Sequence, residues 1–168
     1  MKKGIFSSIL FLLIIFMIGC SDSQIFNDVT SMEDKIAKEL DIEQVSIFGL
    51  KDIDEYRFVG YIANQQGFAV FKQNENGDYI FDFVKKADRM ISRTKDITYD
   101  NYASYWVVLN NNENLNTIQR KIKYKSDSVD EIINLEVTEY PSISVLKFRH
   151  EDHEAEYNFY DSKGRLIQ

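Results

Sequence analysis

From Asp41 onward the chain is a succession of short β-branched and aromatic runs punctuated by Gly, Asn and Asp, and this most limits its fold. Residues 45–50, 56–63, 68–73 and 79–85 are strand candidates, joined through 52–55, 64–67 and 74–77. Parallel neighbours need a crossover of about a dozen residues or more, so linkers this short predict an antiparallel meander. Asn76-Gly77 predicts a hairpin, with both residues at the positive φ of a type I′ turn. A second series follows at 105–109, 117–124, 132–137, 143–149, 156–160 and 165–167, spaced as in a small sandwich or curled sheet. Pro141, the only proline, falls between two runs, where it removes no ladder hydrogen bond. Residues 68–71 before an Asn-rich segment echo residues 105–108 before another, an echo too short to establish a repeat.

Ahead of the strands, Thr30-Ser31-Met32-Glu33 fits a capping box, and Met32, Ile36 and Leu40 recur at helical spacing beside Ala37. The expected class is α+β: a short N-terminal helix packed on mainly antiparallel β-meanders, as one domain or as two small β-rich subdomains. The expected layout is a segment 1–19 removed on maturation, a tether 20–29, a helix plus meander 30–88, a connection 89–101 and a β-rich second half 102–168. With one cysteine, the chain cannot form an internal disulfide and needs a core, which its 44% apolar and 14% aromatic content can supply.

Lys2 and Lys3 precede an almost unbroken apolar stretch over 5–18, ending in Met17-Ile18-Gly19-Cys20. The stretch is too short for a typical membrane span and has the organisation of an export signal. Its end resembles the lipobox of bacterial lipoproteins, although Met17 stands where leucine is commonest. That resemblance implies lipidation of Cys20, cleavage just before it, and attachment to the extracytoplasmic face of the cell membrane. The layout of lipobox, tether, helix and β-hairpins also resembles small uncharacterised lipoproteins of Bacillus-type bacteria, and it implies no functional residues. Cleavage would remove two lysines and no acid, moving the net charge from −7 to −9. Phosphate polymers and anionic headgroups repel such a surface, so no nucleic-acid partner is expected and the lipid must supply the anchor.

His150-Glu151-Asp152-His153-Glu154 holds both histidines of the chain. Zinc needs three or four converging ligands, whereas successive side chains beside a strand diverge, so the segment is read as a polar turn and no metal is expected. Residues 72–77 look calcium-like, but with Gly77 at loop position six, Lys72 and Phe83 occupy positions that require acids. There is no Gly-x-Ser-x-Gly elbow to serve a histidine base, and Gly49, Gly60, Gly67, Gly77 and Gly164 are too scattered for a phosphate loop. No catalytic residue and no cofactor are assigned. Among Tyr99, Tyr102, Tyr105 and Trp106, the last two suit a core, while Tyr99 and Tyr102 are candidates for a binding surface.

The favoured reading is a membrane-anchored, non-enzymatic binding or interaction module whose partner is an envelope protein or glycan. The alternative is an extracytoplasmic hydrolase acting on cell-envelope material. A deep pocket converging on His150, His153 and carboxylates would favour the hydrolase, and a shallow aromatic or apolar patch the binding module.

Overall fold

The computed structural model describes residues 24–87, 92–99, 103–126 and 129–167. One helix, α1 (Val29–Leu40), precedes β1 (Ser46–Ile53), β2 (Tyr56–Ile62), β3 (Gln66–Gln73) and β4 (Tyr79–Lys86), which form an antiparallel meander. There follow β5 (Ser92–Tyr99), β6 (Ala103–Asn110), β7 (Thr117–Tyr124), β8 (Glu131–Glu136), β9 (Ser142–Phe148), β10 (His153–Tyr160) and β11 (Leu166–Ile167). They build two further sheets, a middle one in the order β5-β6-β9 and an outer one in the order β11-β10-β7-β8, with every pairing antiparallel. Mostly antiparallel sheet with one short helix is therefore observed, with residues 92–99 adding a strand where the sequence suggested a connection.

The fold begins before Thr30. Ile25 bridges Ile80, the Phe26 amide donates to the Tyr79 carbonyl at 2.9 Å, and the Phe26 ring is buried against Phe71. Residues 25–27 thereby cover the edge of β4, which would otherwise expose unpaired backbone groups. The helix is capped by Asp28, whose carboxylate accepts from the Ser31 amide at 2.9 Å. Glu33, expected to complete a box with Thr30, instead accepts from the Ile47 amide at 2.8 Å and ties α1 to β1. Met32, Ile36 and Ala37 bury the apolar stripe against Val59, Tyr61, Ala69 and Phe71 on one face of the first sheet.

The alternate residues of that sheet, Tyr56, Phe58, Phe68 and Val70, point the other way and pack on Tyr105, Val107, Leu109 and Val145 of the middle sheet. The opposite face of the middle sheet presents Trp106, Val108 and Phe148 to Ile118, Tyr157 and Phe159 of the outer sheet. The result is four stacked layers, one helical and three of sheet, with β6 covered on both faces. That explains why Tyr105, Trp106, Val107, Val108 and Leu109 form a continuous apolar run instead of alternating. The 68–71 and 105–108 segments are accordingly unlike: β3 turns back into its own sheet, whereas β6 passes to the outer one.

The Asn76-Gly77 turn differs from expectation, because Gly77 (φ 87°) has positive φ and Asn76 does not. The Asn74 carboxamide accepts from the amides of Asn76 and Asp78, which makes a longer loop closed by the glycine and not a two-residue type I′ turn. Asp161 repeats the design: its carboxylate accepts from the amides of Lys163 and Arg165, with Gly164 at φ 72°.

Candidate functional site

The strand phase of β7 puts Ile118, Arg120, Ile122 and Tyr124 on the face toward the middle sheet. Arg120 thus occupies a position the pattern reserves for an apolar residue, and it is fully buried. Its guanidinium lies 4.4 Å from the Phe148 ring centroid, 5.2 Å from Trp106 and 5.8 Å from Tyr157, so three aromatic faces partly offset its lost hydration. Arg120 Nη2 donates to Asp96 Oδ2 at 2.6 Å, which joins the outer sheet to β5 of the middle sheet.

His153, directly across the ladder from Tyr124, completes the cluster. Its Nε2 is 3.0 Å from both Asp96 Oδ2 and Arg120 Nη2, and its Nδ1 is 2.8 Å from the Glu151 carbonyl. A carbonyl can only accept, so Nδ1 carries a proton. Arg120 Nε and Nη1, Asp96 Oδ1 and the Trp106 indole N–H are buried with no hydrogen-bond partner among the described residues. Buried polar groups are normally satisfied, and four of the five buried side-chain atoms left unpaired among the described residues fall in this cluster.

The ends of β7 and β9 and the start of β8 enclose an open cleft of about 740 Å³, lined by Tyr124, Val129, Asp130, Glu131, Lys147, Phe148 and Arg149. Tyr124 and Phe148 separate it from the buried cluster, since the His153 ring centroid is 5.8 Å from the first ring and 5.1 Å from the second. The charged walls are paired internally. Asp130 meets Lys121 at 2.8 Å, Lys147 meets Asp54 at 2.7 Å, and Arg149 Nε meets Glu151 at 3.1 Å. The Arg149 guanidinium also covers the Tyr124 ring at 4.0 Å. Burial, then the hydrogen bond to Glu131 (2.9 Å), pushes the Tyr124 hydroxyl up to about 12. The Lys121 ammonium holds the Asp130 carboxyl below its ordinary value. At the lip, Val129 is 74% exposed, the most exposed large apolar side chain of the described residues.

The two histidines of the acidic turn are turned to different partners. His150 Nδ1 lies 3.0 Å from the Ser104 hydroxyl, which also meets Thr98 at 3.1 Å, while the carboxylate Asp96 belongs to His153. The components of a Ser-His-Asp relay are present but divided, and Ser104 is only 2% exposed. Among the described residues no three His, Cys, Asp or Glu side chains are grouped to hold a metal ion. Residues 74–78 are the turn described above. Cys20 and Tyr102 lie outside the described residues, and of Tyr99 only the backbone, paired with Ala103, is described. From the sequence, His153 is weighed as a metal ligand or a base but is not joined to Arg120, which is not singled out. Their signal was a charged residue in the inward phase of Ile118-x-Arg120-x-Ile122 and of His153-x-Ala155-x-Tyr157.

No protein-family model, curated protein or solved structure matches the chain.

Proposed function

We propose that this protein is a lipoprotein anchored through Cys20 to the extracytoplasmic face of the cell membrane, acting as a non-enzymatic binding module for an envelope protein or glycan. The observation that carries the binding reading is the open cleft, floored by the aromatic rings of Tyr124 and Phe148 and lipped by exposed Val129, with neither histidine in its lining. An apolar floor between internally paired charges offers contact area without a reactive group. The hydrolase alternative lacks support at the same place. Among the described residues its one serine–histidine contact uses a serine that is 2% exposed, and that histidine has no carboxylate partner there. The anchor reading draws on the lipobox-like end of the apolar segment. Among the described residues, no helix is long and apolar enough to cross a membrane.

A photo-crosslinking amino acid at Val129, in cells producing the full chain, tests the cleft against the same probe at Glu43, which is exposed in the connection between α1 and β1. A discrete adduct at 129 that is absent at 43 is expected, and equal labelling at both sites would refute the cleft as the contact surface. Independently, Cys20→Ala should abolish incorporation of labelled fatty acid. Retention of label would sink the anchor.

A further inference from the structure

We infer that His153 is a proton-operated latch between the middle and outer sheets, placed so that its protonation state sets the position of the aromatic floor of the cleft. The relation to the cleft rests on the binding reading above, whereas the latch stands on the geometry alone. Because Nδ1 already donates to the Glu151 carbonyl, the only site for a further proton is Nε2, the atom 3.0 Å from both Arg120 Nη2 and Asp96 Oδ2. Neutral His153 accepts at Nε2 from Arg120, and the cluster then holds one cation and one anion. Protonated, Nε2 can only donate. Its proton goes to Asp96 Oδ2, and the imidazolium faces the guanidinium as a second cation at the former hydrogen-bond distance.

At equal 3.0 Å separations, attraction to the carboxylate and repulsion from the guanidinium nearly cancel in energy, but they act in different directions. The proton therefore draws His153 toward β5 and pushes Arg120 away. Phe148 is in contact with both, 4.4 Å from the guanidinium and 5.1 Å from the imidazole, and must follow. The other charged groups around His153 do not replace either partner. Tyr124 on β7 bonds Glu131, Arg149 beyond β9 covers Tyr124 and holds Glu151, Ser126 also bonds Glu151, and Lys125 pairs with Asp152.

The chain supplies its own probe, since Trp106 is the only tryptophan and lies against Arg120, and the only other histidine is His150. With the full-length chain in detergent micelles, Trp106 emission is expected to change with pH, with a one-proton dependence. That change should disappear in His153→Gln and persist in His150→Gln. Its persistence in His153→Gln, or a flat wild-type profile, overturns the latch. A measurement that needs no variant is ¹⁵N NMR of the histidine rings. It should show His153 with the proton on Nδ1 in the neutral form, and a neutral Nε2–H tautomer refutes the proposal. If adduct formation at Val129 is equal at pH 5.5 and 8 while the emission change is present, the coupling to the cleft fails and the binding reading remains.

Discussion

Removing Asp96 should damage the protein more than removing Arg120, although the two form one ion pair. Asp96→Ala leaves a guanidinium with no exposed surface facing three aromatic rings and a histidine, with its only carboxylate gone. Breaking a buried pair in this way costs about 3–5 kcal/mol. The Asp96 side chain is 30% exposed, so water can enter where the carboxylate was, and the lower figure of about 3 kcal/mol applies. Arg120→Met leaves Asp96 behind, but that exposure lets the carboxylate be hydrated. The methionine keeps an apolar stem among Trp106, Phe148 and Tyr157, so the loss should be about 1 kcal/mol or less. For a chain of this size each kcal/mol moves Tm by about 2–4 °C, giving a fall of about 6–12 °C for Asp96→Ala and under about 4 °C for Arg120→Met. The double variant should resemble Arg120→Met, because the stranded charge is gone, and this non-additivity is the signature of coupling. Urea denaturation followed by circular dichroism measures all three. A loss for Arg120→Met equal to or greater than that for Asp96→Ala would show that the rings and histidine, and not the carboxylate, hold the guanidinium.

Asp28→Ala should cost about 1 kcal/mol of stability in the same assay, and Thr30→Ala much less; the reverse order would reinstate the Thr30 capping box. Gly67→Ala would place its Cβ on the Tyr61 hydroxyl and the Lys85 carbonyl, so a loss of about 1–3 kcal/mol is expected, partly recovered by adding Tyr61→Phe, and no recovery would locate the clash at the backbone. The Lys147 ammonium first, and then the Tyr105 hydroxyl, hold the Asp54 carboxyl below its ordinary value. That contribution to stability is present above the unfolded carboxylate's pKa and is lost as pH falls through the lower folded one. The difference in urea midpoint between wild type and Asp54→Asn should therefore shrink in acid, and a difference that grows would contradict the assignment.

The helix and β7 were legible because burial is one-sided along them, Met32, Ile36 and Leu40 making a stripe and β7 alternating strictly, whereas β2, β3 and β6 were legible as apolar runs between turn residues. The strand β5 was not, because its sequence, Ser-Arg-Thr-Lys-Asp-Ile-Thr-Tyr, has a single aliphatic residue, Ile97, and follows an edge. Its place in the sheet is set by β6, the strand that follows it, with Tyr99 opposite Ala103. The stacking of the three sheets was hidden for a related reason. A run such as Tyr105 to Leu109 reports that both faces are covered and does not say by what. The cleft and the cluster beneath it join residues up to 57 positions apart, as in Asp96 with His153, and no local period connects them. The acidic turn drew attention for its two histidines, yet the structure shares them between Ser104 and Asp96, a division set by strand phase and invisible to spacing alone.

Were Cys20 lipidated as proposed, the pairing of Ile25 with Ile80 would limit how far the protein acts from the membrane. Between Cys20 and Ile25 the chain advances five residues, and at full extension these span about 18 Å. A lipid on Cys20 would therefore hold the edge of β4 closer to the bilayer surface than the ~30 Å breadth of a small domain. Such a protein could pivot on its leash but not range across the envelope, and whatever enters the cleft would have to be brought to the membrane, or already reside in it.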